Sequence, residues 1–230
     1  MKSPSPMPRI FLLATLAALT ALLGACAGKT VPDWQTNAKS ALESATTAYL
    51  QGKERVEKQE FNLARSEIAR TGRADLMALV ALTRCASRVA SLVLEECADF
   101  EKLRQDATST ERAYADFLQA QIQPQDVALL PPQYRAVAGA SSDMAAAAAL
   151  QAIEDPLSRL VAAGVIFRSS RATPAVLTLA VDTASSQGWR RPLLAWLGVQ
   201  AMRAEQAGDV LAAQSLRRRI DLVQGSDTAK

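Results

Sequence analysis

Apolar residues recur at intervals of three and four over most of this chain, the spacing of one face of an α-helix. They fall first at Trp34, Ala38, Ala41, Leu42, Ala45, Ala48 and Tyr49, with Asp33 in front as a cap and Gly52 behind as a stop. Residues 53–71 repeat the pattern with Val56, Phe61, Ala64 and Ile68 among charges, up to Gly72. Two helices joined by so short a link lie antiparallel. A third pattern from Arg73 carries Leu79, Leu82, Ala86, Val89, Ala90 and Val93. Arg84 and Arg88 interrupt it, which suits a core helix and not a membrane span. A short helix is expected over residues 97–107. Thr108-Ser109-Thr110-Glu111 then has the form of a capping box, opening a helix with Tyr114, Phe117 and Leu118.

Residues 121–132 hold Pro124, Pro131 and Pro132 and break the helical pattern. The apolar trio Ala128-Leu129-Leu130 inside them should still pack. Beyond, a helix is expected to start near Asp143 and to contain the alanine run 145–149, which helix propensity alone explains. Pro156, Pro174 and Pro192 follow at intervals of 18 residues, two of them behind the capping residues Asp155 and Thr173. Gly188, Gly208 and Gly225 come after helical stretches, and Asp209 can cap the last helix. The alternation of a β-strand is almost absent. The pattern predicts an all-α chain of antiparallel helical hairpins in two packed halves, 33–122 and 133–223. A proline-containing linker, 123–132, separates them, and 224–230 form a disordered tail.

A helix with its turn occupies about 18 residues here, so a hairpin is near the repeat length of helix-turn-helix arrays. Ala41, Ala45, Gly52, Phe61 and Ala64 resemble the small, turn and helix-B positions of tetratricopeptide-like repeats. Leu197, Ala201, Gly208, Asp209 and Ala213 resemble a second copy. The early alanine of helix B is Glu57 in the first copy, and neither copy has the closing proline. The resemblance implies hairpins stacked as a short right-handed solenoid; a bundle fits the same pattern.

The first residues follow a different rule. Lys2 and Arg9 precede an apolar stretch, residues 10–22, which leads into Leu23-Gly24-Ala25-Cys26. That ending resembles the lipobox of bacterial lipoproteins. The resemblance implies cleavage before Cys26, a lipid on its sulfur, acylation of the new amine and anchoring by the acyl chains. Residues 1–25 would be a signal peptide and 26–32 a lipidated tether. Ala27 after the cysteine, by the same resemblance, implies the outer membrane facing the periplasm. Two other readings exist. The apolar stretch is shorter than the roughly 20 residues a membrane-spanning helix needs. Cutting after Ala27, a small-x-small site, would instead release a soluble chain.

Charge and composition narrow the chemistry. Losing residues 1–25 would remove two basic residues and no acid, leaving 24 basic against 23 acidic side chains. Such a balance gives no electrostatic case for nucleic acid. The chain has no histidine, which removes Ser-His-Asp and Cys-His catalysis and His-ligated metal sites. No metal or cofactor is expected, and no enzyme. With Cys26 lipidated, Cys85 and Cys97 remain in an oxidising compartment, where a disulfide is expected. One straight helix through both would hold them about 18 Å apart, so a bond requires a turn between Ser91 and Cys97. Two unpaired buried thiols are the alternative.

Arg168, Arg171, Arg190 and Arg191 are candidates to meet beside Trp189 as a site for an anionic ligand or a partner. The alternative is a solvated turn whose tryptophan covers the core. Arg217-Arg218-Arg219 near a helix C-terminus reads as a solvated face. Glu57, Glu60 and Glu67 offer no acid–base pair. The expectation is therefore a lipid-anchored helical interaction or scaffold module with an envelope protein as partner. Binding or processing of an anionic envelope ligand through the arginines and Trp189 is the rival, and a purely structural lipoprotein is a third possibility.

Overall fold

A computed structural model describes residues 31–225, and these contain helices and turns but no strand. The helices are α1 Asp33–Leu50, α2 Glu54–Ala69, α3 Ala74–Ala90, α4 Ala98–Glu101, α5 Ser109–Leu118, α6 Pro132–Ala138, α7 Asp143–Gln151, α8 Pro156–Arg168, α9 Pro174–Ser186, α10 Arg190–Gln206 and α11 Val210–Gly225. A 3-10 helix, Pro124–Leu129, lies between α5 and α6. The all-α hairpin architecture is as the periodicity predicts. Cys26, the signal segment, the start of the tether and residues 226–230 lie outside the described residues.

Local chemistry sets most helix starts. The capping box forms: the Thr108 hydroxyl accepts from the Glu111 amide, and the Glu111 carboxylate accepts from the Thr108 amide. Asp155 and Thr173 accept from the amides of Ser158 and Val176, with proline next in line. Asp209 accepts from the Ala212 amide at 3.0 Å. Asp33 departs from expectation. It is already helical, and Pro32 takes the cap position, its carbonyl accepting from Gln35 and Thr36. An acid in the first turn still favours the positive end of the helix dipole.

Helix ends share one device. The amide of Lys53 bonds back to the Ala48 carbonyl, Trp189 to Ala184 and Asp209 to Ala204, each across a glycine at positive φ. Val93, Gln121 and Arg171 close on Arg88, Asp116 and Ile166 in the same way. There the left-handed residue is Leu92, Ala120 or Ser170.

Several smaller expectations change. Val56 and Leu79 are exposed, because the buried faces of α2 and α3 centre on Phe61, Ala64 and Ile68 and on Ala78, Leu82, Cys85 and Val89. The expected helix over 97–107 shrinks to α4. After it, Leu103, Arg104 and Asp106 bond three residues back in successive tight turns. The proline-rich stretch is not wholly irregular, and of its apolar trio only Leu130 is buried. Gln224 and Gly225 continue α11 rather than starting the tail. Pro192 is the third residue of α10, whereas Pro156 and Pro174 are the first of α8 and α9.

Two apolar clusters hold the body together. A small one joins α1, α2 and α3 through Ala38, Ala45, Phe61, Ile68 and Val80. The larger one runs from α3 to α10 and draws on residues both before and after 123–132. Its middle is α8, where residues 160–166 are all buried. At Gly164 this helix meets α3 so closely that a Cβ would lie 2.3 Å from the Val89 carbonyl oxygen. Trp196 of α10 is wholly buried, donates to the Ala90 carbonyl at 3.1 Å and stands edge-on to Phe167. α10 also touches α1, so packing extends beyond sequence neighbours.

Candidate functional site

α3 carries two stripes. Ala78, Leu82, Cys85 and Val89 belong to the main core. Met77, Ala81, Arg84 and Arg88 follow one another at helical spacing on an adjoining face and form the floor of a groove. One wall is α2, through Glu57, Phe61 and Arg65 at successive turns. The other is residues 93–103. Hollows of about 170, 200 and 520 Å³ run together along it, joined through Phe61, Ala81, Arg84 and Arg88.

The Cys85–Cys97 disulfide fixes the second wall, with the two Cα atoms 5.6 Å apart. The turn this requires lies at Ser91 and Leu92. The bond holds Glu95 and Asp99 over the arginines of the floor.

Those arginines rest on aromatic rings. The Arg84 guanidinium carbon is 4.6 Å from the Phe61 centroid, and that of Arg65 is 6.0 Å from the same ring. Arg88 and Arg191 stand 6.0 and 4.5 Å from the Tyr49 centroid. Carboxylates hold Arg84 and Arg88 loosely, with Arg88 donating one long hydrogen bond to Glu95. Arg84 Nε is 3.4 Å from Glu57 and its Nη1 is 3.6 Å from Asp99, while Arg88 Nη1 is 3.5 Å from Glu95. Arg84 Nε is nonetheless buried with no hydrogen-bond partner. The Glu95 and Asp99 side chains are 73 and 49 % exposed.

The charge of the largest hollow is one-sided. Lys58, Arg65, Arg84, Arg88 and Arg191 line it against two carboxylates, Glu54 and Glu57. Burial pushes the Tyr49 hydroxyl above its ordinary pKa, and the positive charge of Arg191 opposes that rise.

The residues singled out from the sequence do not converge. Arg168 donates to the Glu95 carbonyl, and Arg171 to Asp143 and to the Ala140 carbonyl. Arg190 donates to the Val223 carbonyl of α11. Arg191 donates to the Tyr49 carbonyl and to Glu54. Trp189 faces a separate hollow of about 480 Å³, with Leu42, Leu50, Pro156 and Leu157. Of the five, only Arg191 borders the groove. Cys85 and Cys97 are brought together as expected. Arg217 of the triple-arginine run pairs with Glu205.

Sequence reasoning passed over Arg84, Arg88, Arg65, Tyr49 and Phe61 as site residues. The available signal was the spacing of Arg84 and Arg88, one turn apart on a helix otherwise apolar. No family model, no curated protein and no solved structure matches this chain. Among the described residues no helix is long and apolar enough to cross a membrane.

Proposed function

We propose that this chain is a lipoprotein of the outer membrane, facing the periplasm, whose helical body binds an envelope protein in the groove between α2 and residues 93–103. The excess of cations around the largest hollow carries the binding half of this reading. A hollow of this size with charged and aromatic walls has the character of a recognition site. Lipid anchoring rests on Leu23-Gly24-Ala25-Cys26 and Ala27. The disulfide supports export, since such bonds persist in oxidising compartments.

Two experiments test the two halves. Globomycin treatment or Cys26→Ala should leave precursor in the inner membrane. Mature protein in the soluble periplasm, with no precursor accumulating, would end the anchoring half. A photo-crosslinking residue in place of Asn62, which lines the groove, should capture a protein in cells. Capture only from an outward position such as Lys39, never from Asn62, would end the binding half. A small anionic envelope ligand is the second reading, favoured by the same cations.

A further inference from the structure

Resting on that reading, we infer that the groove takes an extended acidic segment of the partner, with two carboxylates two residues apart and an apolar residue two further on. Arg88 and Arg84 are one helical turn apart, a rise of about 6 Å. In an extended strand, side chains at i and i+2 share a face and are spaced by about 6.6 Å. The two repeats match, so alternate acids of one strand meet the two arginines together. From Arg88 to Met77 the floor is about 16 Å long, room for about five extended residues. The third residue on the same face reaches the hollow where Phe61, Met77, Val80, Ala81 and Leu103 offer apolar contact beside Arg65, Asp99 and Lys102.

The free protein already contains a weak version of this ligand. Glu95 stands 3.5 Å from Arg88 and Asp99 3.6 Å from Arg84, both long for an ion pair, and their side chains are 73 and 49 % exposed. They occupy the two positions that incoming carboxylates would take, and they come from a wall stapled by the disulfide. A carboxylate from a partner that displaces them can approach Arg84 Nη1 and Arg88 Nη1 to the shorter distance of a charge-assisted bond, while Arg84 Nε stays turned toward Glu57. Glu57 remains in the wall and disfavours a doubly charged phosphate more than a single carboxylate. Two arginines at the strand repeat, with the Met77–Val80–Leu103 hollow beyond them, match a peptide better than a phosphodiester headgroup, which brings one charge.

The test is fluorescence anisotropy with labelled peptides on the purified chain at low ionic strength. A Gly-Ser-flanked peptide containing Glu-Ser-Glu-Ser-Leu should bind at least about tenfold tighter than its Gln-Ser-Gln-Ser-Leu counterpart. It should also bind more tightly than the equally charged Glu-Glu-Ser-Ser-Leu. Arg84→Gln and Arg88→Gln should each weaken binding about tenfold. Glu95→Gln combined with Asp99→Asn should tighten it about threefold, the scale of a surface ion pair. This last variant keeps the test alive if loss of Arg84 from Phe61 and Glu57 unfolds the protein. Equal binding of the two acidic isomers, or no gain in the Glu95→Gln/Asp99→Asn protein, overturns the inference. So does binding of phosphatidylglycerol vesicles in preference to the peptide with the same dependence on Arg84 and Arg88. Crosslinking of a protein from Asn62 without peptide binding refutes the acidic motif and leaves the broader reading standing.

Discussion

Arg191 donates from Nε to the Tyr49 carbonyl at 2.9 Å while its guanidinium carbon stands 4.5 Å from the centre of the Tyr49 ring. One side chain thus both receives the last turn of α1 and covers its aromatic residue. The contact joins residues 142 positions apart and closes one end of the groove. Arg191→Met removes the donor and the charge together. It is expected to lower stability by about 1–2 kcal/mol in urea unfolding. Arg191→Lys should recover only part of that, because the ammonium lacks the flat fork that bonds and stacks at once.

The crossing of α3 and α8 leaves no room for a methyl group. At Gly164 a Cβ would meet the Val89 carbonyl oxygen at 2.3 Å and Val89 Cγ1 at 2.8 Å. Gly164→Ala should therefore destabilise by about 1–3 kcal/mol or more, although alanine is the better helix former. An unchanged midpoint of unfolding would mean the two helices sit farther apart.

Ser170 and Gly188 hold the same left-handed conformation at equivalent helix ends, with φ of 59° and 63°. Ser170→Gly relieves the steric cost of a Cβ there. It should leave stability unchanged or raise it by up to about 1 kcal/mol. Gly188→Ala has open space around it but the wrong backbone, and should cost about 1 kcal/mol. Paired thermal melts of the two variants compare these opposite signs directly.

The disulfide closes a short loop and holds the wall of the groove. Replacing Cys85 and Cys97 together by serine should cost about 2–4 kcal/mol. Hydrogen exchange should rise first at residues 91–99 and leave α8 protected.

All three tyrosines of the chain, Tyr49, Tyr114 and Tyr134, have hydroxyls held above their ordinary pKa, in each case chiefly by burial. A folded-state value raised above the unfolded one gives stability that is complete below about pH 10. That stability is lost as the pH climbs toward the folded values. In an alkaline titration the phenolate absorbance should stay flat through pH 10 and then rise together with the loss of helical circular dichroism. A smooth step at pH 10 with the helices intact would contradict the burial of these rings.

The legible parts of this fold are those written in neighbouring residues. The capping box at Thr108, the Asp155-Pro156 and Thr173-Pro174 starts and the glycine ends at 52, 188 and 208 each need only a few positions to state. The ends of α3, α5 and α8 were harder to read, because Leu92, Ala120 and Ser170 adopt a glycine's conformation without being glycine. The Cys85–Cys97 bond was legible through cysteine arithmetic and the helical rise. The groove was not. Arg84 and Arg88 read as interruptions of a core helix, since nothing local tells which side of α3 the loop 91–97 will cover. Arg191 reaches them only because α10 packs on α1. The four arginines expected together instead bond separate carbonyls and acids, at Glu95, at Ala140 and Asp143, on α11, and on α1 and α2, a distribution only tertiary packing decides.

The clasp of α10 on the far end of α1 has a mechanical consequence. Tension arriving at the amino end enters through α1, which lies along α2 and is latched at Tyr49. Load directed along that helix strains its side contacts in parallel instead of peeling them one after another. α1 is thereby tied into the body twice, along α2 and through Arg191 to α10, and a pull on it is shared between both ties.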